Sequence, residues 1–271
     1  GGPALVSTAT VVRRTVPVEI REIGSVEAYS TIRVRAQVTG QLMKMYIQEG
    51  QDVKIGDLLF LIDPRPYDEA IRQAEASLAR NTALLRQAEA NLKRDQAQAR
   101  FAQEQADRYL RLYKEGVFSK QQADQYVSDA EAKAEAVRAS QAAIESAQAA
   151  IKADTATIAN ARLQRGYCEV RAPIDGRASD FLIKEGNLVR VTDSEVMTLR
   201  QVHPILATFA IPENRLPEVK RYMAASKLTV EATPPGDSGP PEIGTLSFVD
   251  NTVDVATGTI RMKGTFANPR S

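Results

Sequence analysis

Few side chains in this sequence have the types and the spacing that covalent chemistry needs. His203 is the only histidine and Cys168 is the only cysteine. A zinc site or a catalytic triad needs several such residues at defined spacing, and the glycine-rich loop that holds nucleotide phosphates is absent. The sequence therefore predicts a protein that is not an enzyme, with no catalytic, cofactor-binding or metal-binding residues. We expect His203 in a turn and Cys168 as a small buried side chain.

One lysine has the neighbours of a covalently modified residue. Met43, Lys44 and Met45 form the Met-Lys-Met sequence that carries biotin in carrier domains. In such domains the lysine lies at a tight turn, whereas the residues around Lys44 are predicted to form a strand. We therefore expect Lys44 to be a solvent-facing strand residue. A biotin or lipoyl carrier subunit stays open as an alternative of another class.

Charge and hydropathy narrow the classes of partner. The 35 basic residues are balanced by 34 acidic residues, so no basic excess favours nucleic acid. No apolar run approaches the length of about 20 residues that a membrane span needs, and no signal peptide is recognisable. We expect a soluble chain, or one whose targeting and anchoring segments lie outside this sequence. The scattered methionines disfavour metal ions as cargo.

Residues 67–165 form the longest regular segment of the sequence. They contain no proline, and their only glycine, Gly116, lies near the midpoint. Apolar residues recur every seven positions on both sides of Gly116, which is the spacing of helices that pack along a seam. The two rows are Ile71, Leu78, Leu85, Leu92, Ala99, Ala106, Tyr113 and then Ala123, Ala130, Val137, Ile144, Ile151, Ile158. The pattern predicts an antiparallel helical hairpin with arms of about 70 Å.

The turn of this hairpin can be predicted in detail. Gly116 follows the first helix at the position where a positive φ is common, and Val117 and Phe118 form the bend. Ser119 is expected to begin the second helix as its N-cap, with Gln122 completing a capping box. The sequence therefore predicts a well-defined tip with Val117 and Phe118 near its apex.

The segments that flank the hairpin repeat each other. With an offset of 136 positions, residues 34–53 match residues 170–189 at eight identical positions, including Gly50 with Gly186. Each copy resembles half of a lipoyl or biotinyl β-sandwich. We expect the two halves to form one sandwich, with the hairpin inserted at the exposed turn that joins them.

The remaining residues are predicted to be mainly β structure. Residues 14–29 and 200–271 would form a small β-barrel. Its first strand is expected within residues 14–29, interrupted at Gly24. A short helix should begin at Pro212, where proline suits the first turn, and end near Ala225.

This nested order closely resembles the periplasmic adaptor subunits (membrane fusion proteins) of tripartite efflux pumps, above all the resistance-nodulation-division (RND) multidrug type. The segments that carry the resemblance are 34–40 (VRAQVTG), 49–59 (EGQDVKIGDLL), 62–64 (IDP), 171–176 (RAPIDG), 203–205 (HPI), 212–213 (PE) and 254–260 (DVATGTI). It implies an α+β multidomain fold. The expected parts are a partial membrane-proximal domain (1–13), a β-barrel without its last strand (14–29 and 200–271), a split lipoyl-like domain (30–66 and 166–199) and the α-helical hairpin (67–165).

The resemblance also implies a docking site at the tip of the hairpin. Arg108, Leu112 and Ser119 match in type and spacing the family's Arg-Leu-Ser pattern, which meets the periplasmic end of an outer-membrane channel. Arg108 would offer directional hydrogen-bond donors, Leu112 an apolar side chain, and Ser119 the cap that fixes the turn. Helix capping and ordinary surface exposure would also account for these residue types.

The function implied by the resemblance is that of a non-enzymatic periplasmic adaptor that exports drugs or other small molecules with its partners. It would be anchored to the inner membrane and would link an inner-membrane transporter to an outer-membrane channel. Several copies, as a trimer or hexamer, would enclose the conduit, and no nucleic acid is expected. An ABC or major-facilitator transporter in place of the RND transporter stays open, as does a coiled-coil scaffold without transport.

Overall fold

The computed structural model describes residues 2–3, 7, 9–13, 18–191, 195–236 and 239–269. The chain divides into two compact units. One unit consists of Gly1–Ile32 with Leu199–Ser271, and the other consists of Arg33–Thr198. The predicted hairpin and the predicted repeat both lie in the second unit.

The hairpin is present as two long helices. Helix α1 (Arg65–Lys114) has 50 residues and helix α2 (Lys120–Gly166) has 47, which corresponds to arms of about 70–75 Å. Pro66 lies in the first turn of α1, where its missing N–H has no partner to lose. The predicted range 67–165 therefore agrees with the observed ends to within two residues.

The seam between the arms is built mainly from small side chains. Its fully buried residues are Ala74, Ala102, Ala106, Ala123, Ala130, Ile144 and Ile158. The other predicted heptad positions are half-buried, since two helices alone leave the flanks of their seam open to solvent. Tyr113 is the exception at 40% exposed. The residue equally far from the turn on α2 is Gln122, which is polar and offers no apolar surface.

Two polar contacts fix how the arms are aligned. The Asn81 side-chain amide donates to Asp154 Oδ2 at 2.6 Å, and the Ser140 hydroxyl donates to the Asp95 carboxylate. The members of each pair are equally far from the turn. The Ser140 hydrogen bond, followed by that of Arg94, lowers the pKa of Asp95. Sliding one arm along the other would separate these partners, so the contacts specify the register of the alanine-rich seam.

The internal repeat of the sequence is also a repeat of hydrogen bonds. The Gly50 amide donates to the Ala178 carbonyl at 3.0 Å, and the Gly186 amide donates to the Leu42 carbonyl at 2.8 Å. Each bond becomes the other when both residues are shifted by the 136-residue offset. Both glycines have a positive φ, 78° and 87°, which other residues rarely adopt.

Two glutamate side chains also make hydrogen bonds that are related by the 136-residue offset. Glu49 Oε1 accepts from the Phe181 amide at 3.0 Å, and Glu185 Oε1 accepts from the Met45 amide at 2.6 Å. These bonds are related by the same offset, so each half holds the backbone of the other through an equivalent carboxylate. The prediction of one sandwich made from two halves is confirmed.

The sandwich contains six short strands. They are β2 (Gly40–Met45), β3 (Asp52–Val53), β4 (Leu58–Ile62), β5 (Glu169–Arg171), β6 (Gly176–Ala178) and β7 (Leu188–Val189). One sheet has the order β5-β4-β2-β7, and β3 pairs with β6. Leu42, Leu59, Phe60 and Ile62 are fully buried and form its core. Strand β1 (Gly24–Arg35) precedes the sandwich.

The other unit is a mainly antiparallel β structure. Its strands are β8 (Glu195–Pro212), β9 (Thr229–Ala232), β10 (Glu242–Asp254) and β11 (Thr259–Phe266), in the order β8-β11-β10-β9, with β1 paired to β8. As predicted, a helical segment follows Pro212, first a 3-10 turn (Glu213–Arg215) and then helix α3 (Leu216–Ala225). Val219 of α3 packs with Ile211 and Met262. The boundary between the two units falls within β1 and within β8.

The predicted first barrel strand is confirmed only in its second part, because β1 begins at Gly24 and continues beyond residue 29 to Arg35. Residues 14–17 lie outside the described residues, and residues 18–23 form no strand. Val18 and Ile23 are 58% and 97% exposed, whereas Ile20 is half-buried against the core that contains Ile211. Gly24 begins β1 instead of interrupting a strand. A Cβ at Gly24 would lie 2.7 Å from the Thr208 carbonyl oxygen, so glycine permits the close approach of β1 to β8.

The predicted turn at His203 is also wrong. His203 lies inside β8, and its peptide bond to Pro204 is cis. The pairing of β8 with β11 ends at Ile205, opposite Phe266. Because Pro204 lies just outside that ladder, its missing N–H removes no hydrogen bond from it.

Lys44 and Cys168 lie in the environments that the sequence predicted. Lys44 is exposed in β2, with its ammonium 5.3 Å from the Tyr46 ring centroid. Cys168 is fully buried, although it lies in the turn before β5 and not in the strand. Burial raises the pKa of its thiol to about 11, so the thiol is protonated at neutral pH.

Candidate functional site

The backbone of the hairpin tip is closed by a Schellman motif at the end of α1. The Gly116 amide donates to the Tyr113 carbonyl, and the Val117 amide donates to the Leu112 carbonyl, both at 3.0 Å. Gly116 has a φ of 77° and supplies the left-handed residue that this motif needs. The predicted position and role of Gly116 are confirmed.

Ser119 caps α2, as predicted. Its hydroxyl accepts a hydrogen bond from the Gln122 backbone N–H at 3.3 Å and donates one to the side-chain oxygen Gln122 Oε1 at 2.9 Å. In a standard capping box the glutamine would reach the N-cap backbone amide, whereas here it binds the hydroxyl. The Ser119 hydroxyl is therefore engaged twice within its own turn.

Three aromatic rings connect the two helices and the turn. The rings of Tyr109 on α1 and Tyr126 on α2 are stacked, with centroids 4.0 Å apart and planes 8° apart. Phe118, in the turn, lies 4.7 Å from Tyr109 at an angle of 43°. The side-chain hydrogen bond with Tyr109 is the main reason that the pKa of Tyr126 is raised. We call Tyr109, Phe118 and Tyr126 the ring stack.

Arg108 and Leu112 lie on the last two turns of α1, about 6 Å apart along its axis. Arg108 is exposed, and its guanidinium has no ion-pair or hydrogen-bond partner among the residues that the structure describes. Leu112 is half-buried. The largest exposed apolar side chain in the turn itself is Val117, at 69%.

The structure brings the three predicted site residues to one end of the hairpin. Arg108 and Leu112 are held by α1, and Ser119 is held by the cap of α2. Sequence reasoning left out Tyr109 and Tyr126. The signal that could have paired them was their position, because both are equally far from the middle of the turn.

The opposite end of the hairpin is held by a network of charges. Arg165 donates to Glu169 at 2.6 Å and to Asp68 at 3.4 Å, and Arg171 donates to Glu169 at 3.1 Å. Hydrogen bonds from Arg165 and then Arg171 lower the pKa of Glu169. These contacts join α1, α2 and β5, so the root of the hairpin is tied to the sandwich.

The tip offers groups that suit non-covalent contacts. Arg108 offers a planar set of N–H donors suited to carboxylates and carbonyls. Leu112, one helical turn further along α1, and Val117 in the turn offer apolar surface. In the described part of the chain, His, Cys, Asp and Glu side chains nowhere gather in groups of three within reach of one metal ion. Among the same residues, none of the three α-helices is apolar enough over a sufficient length to cross a membrane.

Comparison with known families covers nearly the whole chain. The family model for the barrel-sandwich hybrid domain of RND membrane fusion proteins matches residues 30–201. The model for the β-barrel domain of the same proteins matches residues 204–271.

Curated relatives are longer than this chain. It is 36% identical over 270 residues to the multidrug resistance protein MdtA of Escherichia coli O45:K1 (strain S88 / ExPEC). It is 37% identical over 268 residues to MdtA of Cronobacter turicensis. Each alignment covers 98% of this chain and 58% of the relative, so the chain spans little more than half of their length.

Solved structures share the fold. MacA from Actinobacillus actinomycetemcomitans gives a TM-score of 0.62 at 20% identity, over 91% of this chain and 72% of MacA. A MacA-MexA chimeric protein that contains the Pseudomonas aeruginosa MexA α-hairpin domain gives 0.57 at 25% identity, over 91% of this chain and 73% of the chimera.

Proposed function

This chain belongs to the family of RND membrane fusion proteins, and on that premise we propose that it is part of the periplasmic adaptor of a multidrug efflux pump. The adaptor has no catalytic role and is anchored to the inner membrane. It joins an inner-membrane RND transporter to an outer-membrane channel. The transporter supplies the energy, and the adaptor supplies the connection between the two membranes.

One observation carries the proposal. The hairpin holds, at the end of arms of about 70–75 Å, a tightly specified turn, with an exposed guanidinium at Arg108 near the end of α1 and an exposed apolar side chain at Val117. Neither side chain is needed to close the turn, because backbone hydrogen bonds and the Ser119 cap do so. A surface of this kind suits contact with another protein.

In this proposal Arg108, Leu112 and Ser119 have different roles at the channel. Arg108 donates hydrogen bonds to carbonyl or carboxylate oxygens of the channel's periplasmic end. Leu112 adds apolar contact. Ser119 acts mainly through the cap that shapes the turn, because its hydroxyl is already engaged by Gln122.

We propose that several copies, as a trimer or hexamer, surround the conduit, since one hairpin encloses no space. Leu84 and Phe101 on α1 are 50% and 63% exposed. Side-by-side packing of hairpins would cover such apolar side chains and would explain why they are tolerated on a helix surface.

Site-directed crosslinking tests the proposal. In cells that express the full-length protein with its transporter and channel, Ser119→Cys should crosslink to the periplasmic end of the channel. Lys120→Cys is tested beside it, because it leaves the Ser119 cap intact. The matched control is Ala142→Cys, which is exposed in the middle of α2. Strong crosslinks from Ala142→Cys with none from the two tip positions would contradict the proposed orientation.

Three further measurements separate the alternatives. Intact mass of the full-length protein should show no biotin or lipoyl group on Lys44, because that residue lies in a strand and not at a carrier turn. Deleting the protein should lower drug tolerance, whereas a scaffold without transport would leave it unchanged. Co-purification identifies whether the bound transporter is of the RND, ABC or major-facilitator type.

A further inference from the structure

We infer that the ring stack of Tyr109, Phe118 and Tyr126 is the positioning element of the docking tip. It holds the turn against both helices in the one arrangement that presents Arg108 and Val117 to the partner. The inference rests on the proposed function. It adds three residues that touch no partner themselves but determine how well the contacting residues are presented.

The helices near the tip pack through small side chains. The buried residues of the hairpin closest to the turn are alanines, at positions 102, 106, 123 and 130. Methyl groups let two helices approach closely, but they make few contacts that resist a small rotation or shift. Aromatic rings have directional preferences for offset or tilted stacking. The ring stack therefore supplies, at this end, the orientation that an alanine seam leaves loosely specified.

The ring stack contains one residue from each segment of the tip. Tyr109 belongs to α1, Phe118 to the turn and Tyr126 to α2, so the stack ties all three segments at one place. Neither Schellman nor capping hydrogen bonds do this, because each involves one helix and the turn. The ring stack joins the turn to both helices, because the Tyr109 ring lies against both Phe118 and Tyr126.

The ring stack is adjacent in sequence to the residues that are proposed to contact the partner. Tyr109 directly follows Arg108, and Phe118 lies between Val117 and Ser119. Phe118 is half-buried, whereas Val117 is 69% exposed. When the Phe118 ring is held inward, its neighbour Val117 is directed away from the stack. Holding Tyr109 in the same way fixes the position on α1 from which the Arg108 side chain extends.

The expected consequence is preorganisation. A turn already held in its docking conformation loses less conformational freedom on binding than a loose turn does. Aromatic pairs of this kind change an equilibrium constant by up to about tenfold, in addition to the effect of the apolar area that they bury. Removing one ring should therefore weaken docking by about that factor, while the long seam keeps the hairpin folded.

The test uses Lys120→Cys as the crosslinking reporter in the full-length protein, with the transporter and channel present. Phe118→Ala and Tyr126→Ala each remove one ring, whereas Tyr126→Phe keeps the ring and removes only the hydroxyl. The matched control is Val127→Ala, which removes a neighbouring half-buried side chain that packs on the alanines but not in the stack. Thermal unfolding of each purified protein is measured in parallel.

We expect the initial crosslinking rate to fall about tenfold for both alanine variants and to stay within about twofold for Tyr126→Phe and Val127→Ala. Melting temperatures of Phe118→Ala and Val127→Ala should be similar. Unchanged crosslinking in both alanine variants would overturn the inference and leave the proposed function intact. Equal losses of crosslinking in Val127→Ala and Tyr126→Ala would mean that the ring stack contributes only general stability to the hairpin. That result would also overturn the inference. No crosslink from Lys120→Cys with all three rings present would instead refute the proposed function, and the inference with it.

Discussion

Replacing Arg108 by alanine should separate docking from stability. The guanidinium is exposed and has no ion-pair or hydrogen-bond partner within the described residues. Arginine and alanine are both good helix formers. The free energy of unfolding should therefore change by less than about 0.5 kcal/mol, as for surface residues without special contacts.

The effect on docking should be much larger. A hydrogen bond from a charged group contributes about 1.5–3 kcal/mol, which corresponds to about a 10- to 150-fold change in an equilibrium constant. In the Arg108→Ala background, crosslinking from Lys120→Cys to the channel should decrease by a factor in that range. Arg108→Lys keeps the charge but loses the planar fork of donors, so its loss should be intermediate.

Arg86→Ala is the matched control. Arg86 is another exposed arginine of α1, about 33 Å along the helix from Arg108. It should leave both crosslinking and drug tolerance unchanged. The reasoning is refuted if Arg108→Ala docks as well as the unmodified protein, or if its loss of docking is matched by an equal loss of thermal stability.

Three further predictions follow from the hairpin and the sandwich. Gly116→Ala should destabilise the protein by about 1 kcal/mol in urea unfolding, because alanine is strained at a φ of 77° although nothing lies within 4 Å of its Cβ. Gly166→Ala, in the helical region of α2 and equally free of neighbours, should be neutral or slightly stabilising. Cys168 should resist thiol reagents until the protein unfolds. Since its pKa is raised to about 11 from 9.0, the free energy of unfolding should also fall as pH rises through that interval. Ser140→Ala should raise the lowered pKa of Asp95 toward its ordinary value of 3.8, which carbon-13 NMR titration would detect. The stability that Asp95 contributes should be lost as pH falls through its folded pKa, below 3.8.

The sequence was most informative where local rules decide the structure. The absence of proline, the seven-residue spacing and one glycine were enough to predict both helices and their turn, because helix ends depend on few neighbouring residues. The repeat around Gly50 and Gly186 could also be predicted from the sequence. It reflects equivalent backbone geometry in the two halves, and only glycine adopts that geometry easily.

Contacts between distant segments were harder to predict. The strand that begins at Gly24 depends on the close approach of the Gly24 backbone to Thr208, and no local sequence pattern predicts this contact. The proline that follows His203 favours a turn there, whereas β8 continues past the end of its ladder with β11.

At the candidate site, residue types indicated Arg108, Leu112 and Ser119, but they did not reveal how each is used. Within the described residues the Arg108 guanidinium has no hydrogen-bond partner, whereas the Ser119 hydroxyl is engaged twice, and residue type alone does not reveal this difference. The pairing of Tyr109 with Tyr126 follows from the register of the arms. That register is set by contacts such as the one between Ser140 and Asp95, far from the tip.

The central claim is that the hairpin is a spacer of fixed length that carries a docking tip. It is tested most directly by shortening both arms equally. Deleting residues 82–95 together with 140–153 removes two facing heptads from each arm and shortens the hairpin by about 21 Å. The deletion keeps the tip, the root and the contact between Asn81 and Asp154. The full-length shortened protein should remain helical and bind its transporter, but Lys120→Cys should no longer crosslink to the channel and drug tolerance should be lost. Undiminished crosslinking and tolerance in a folded, shortened protein would contradict the account.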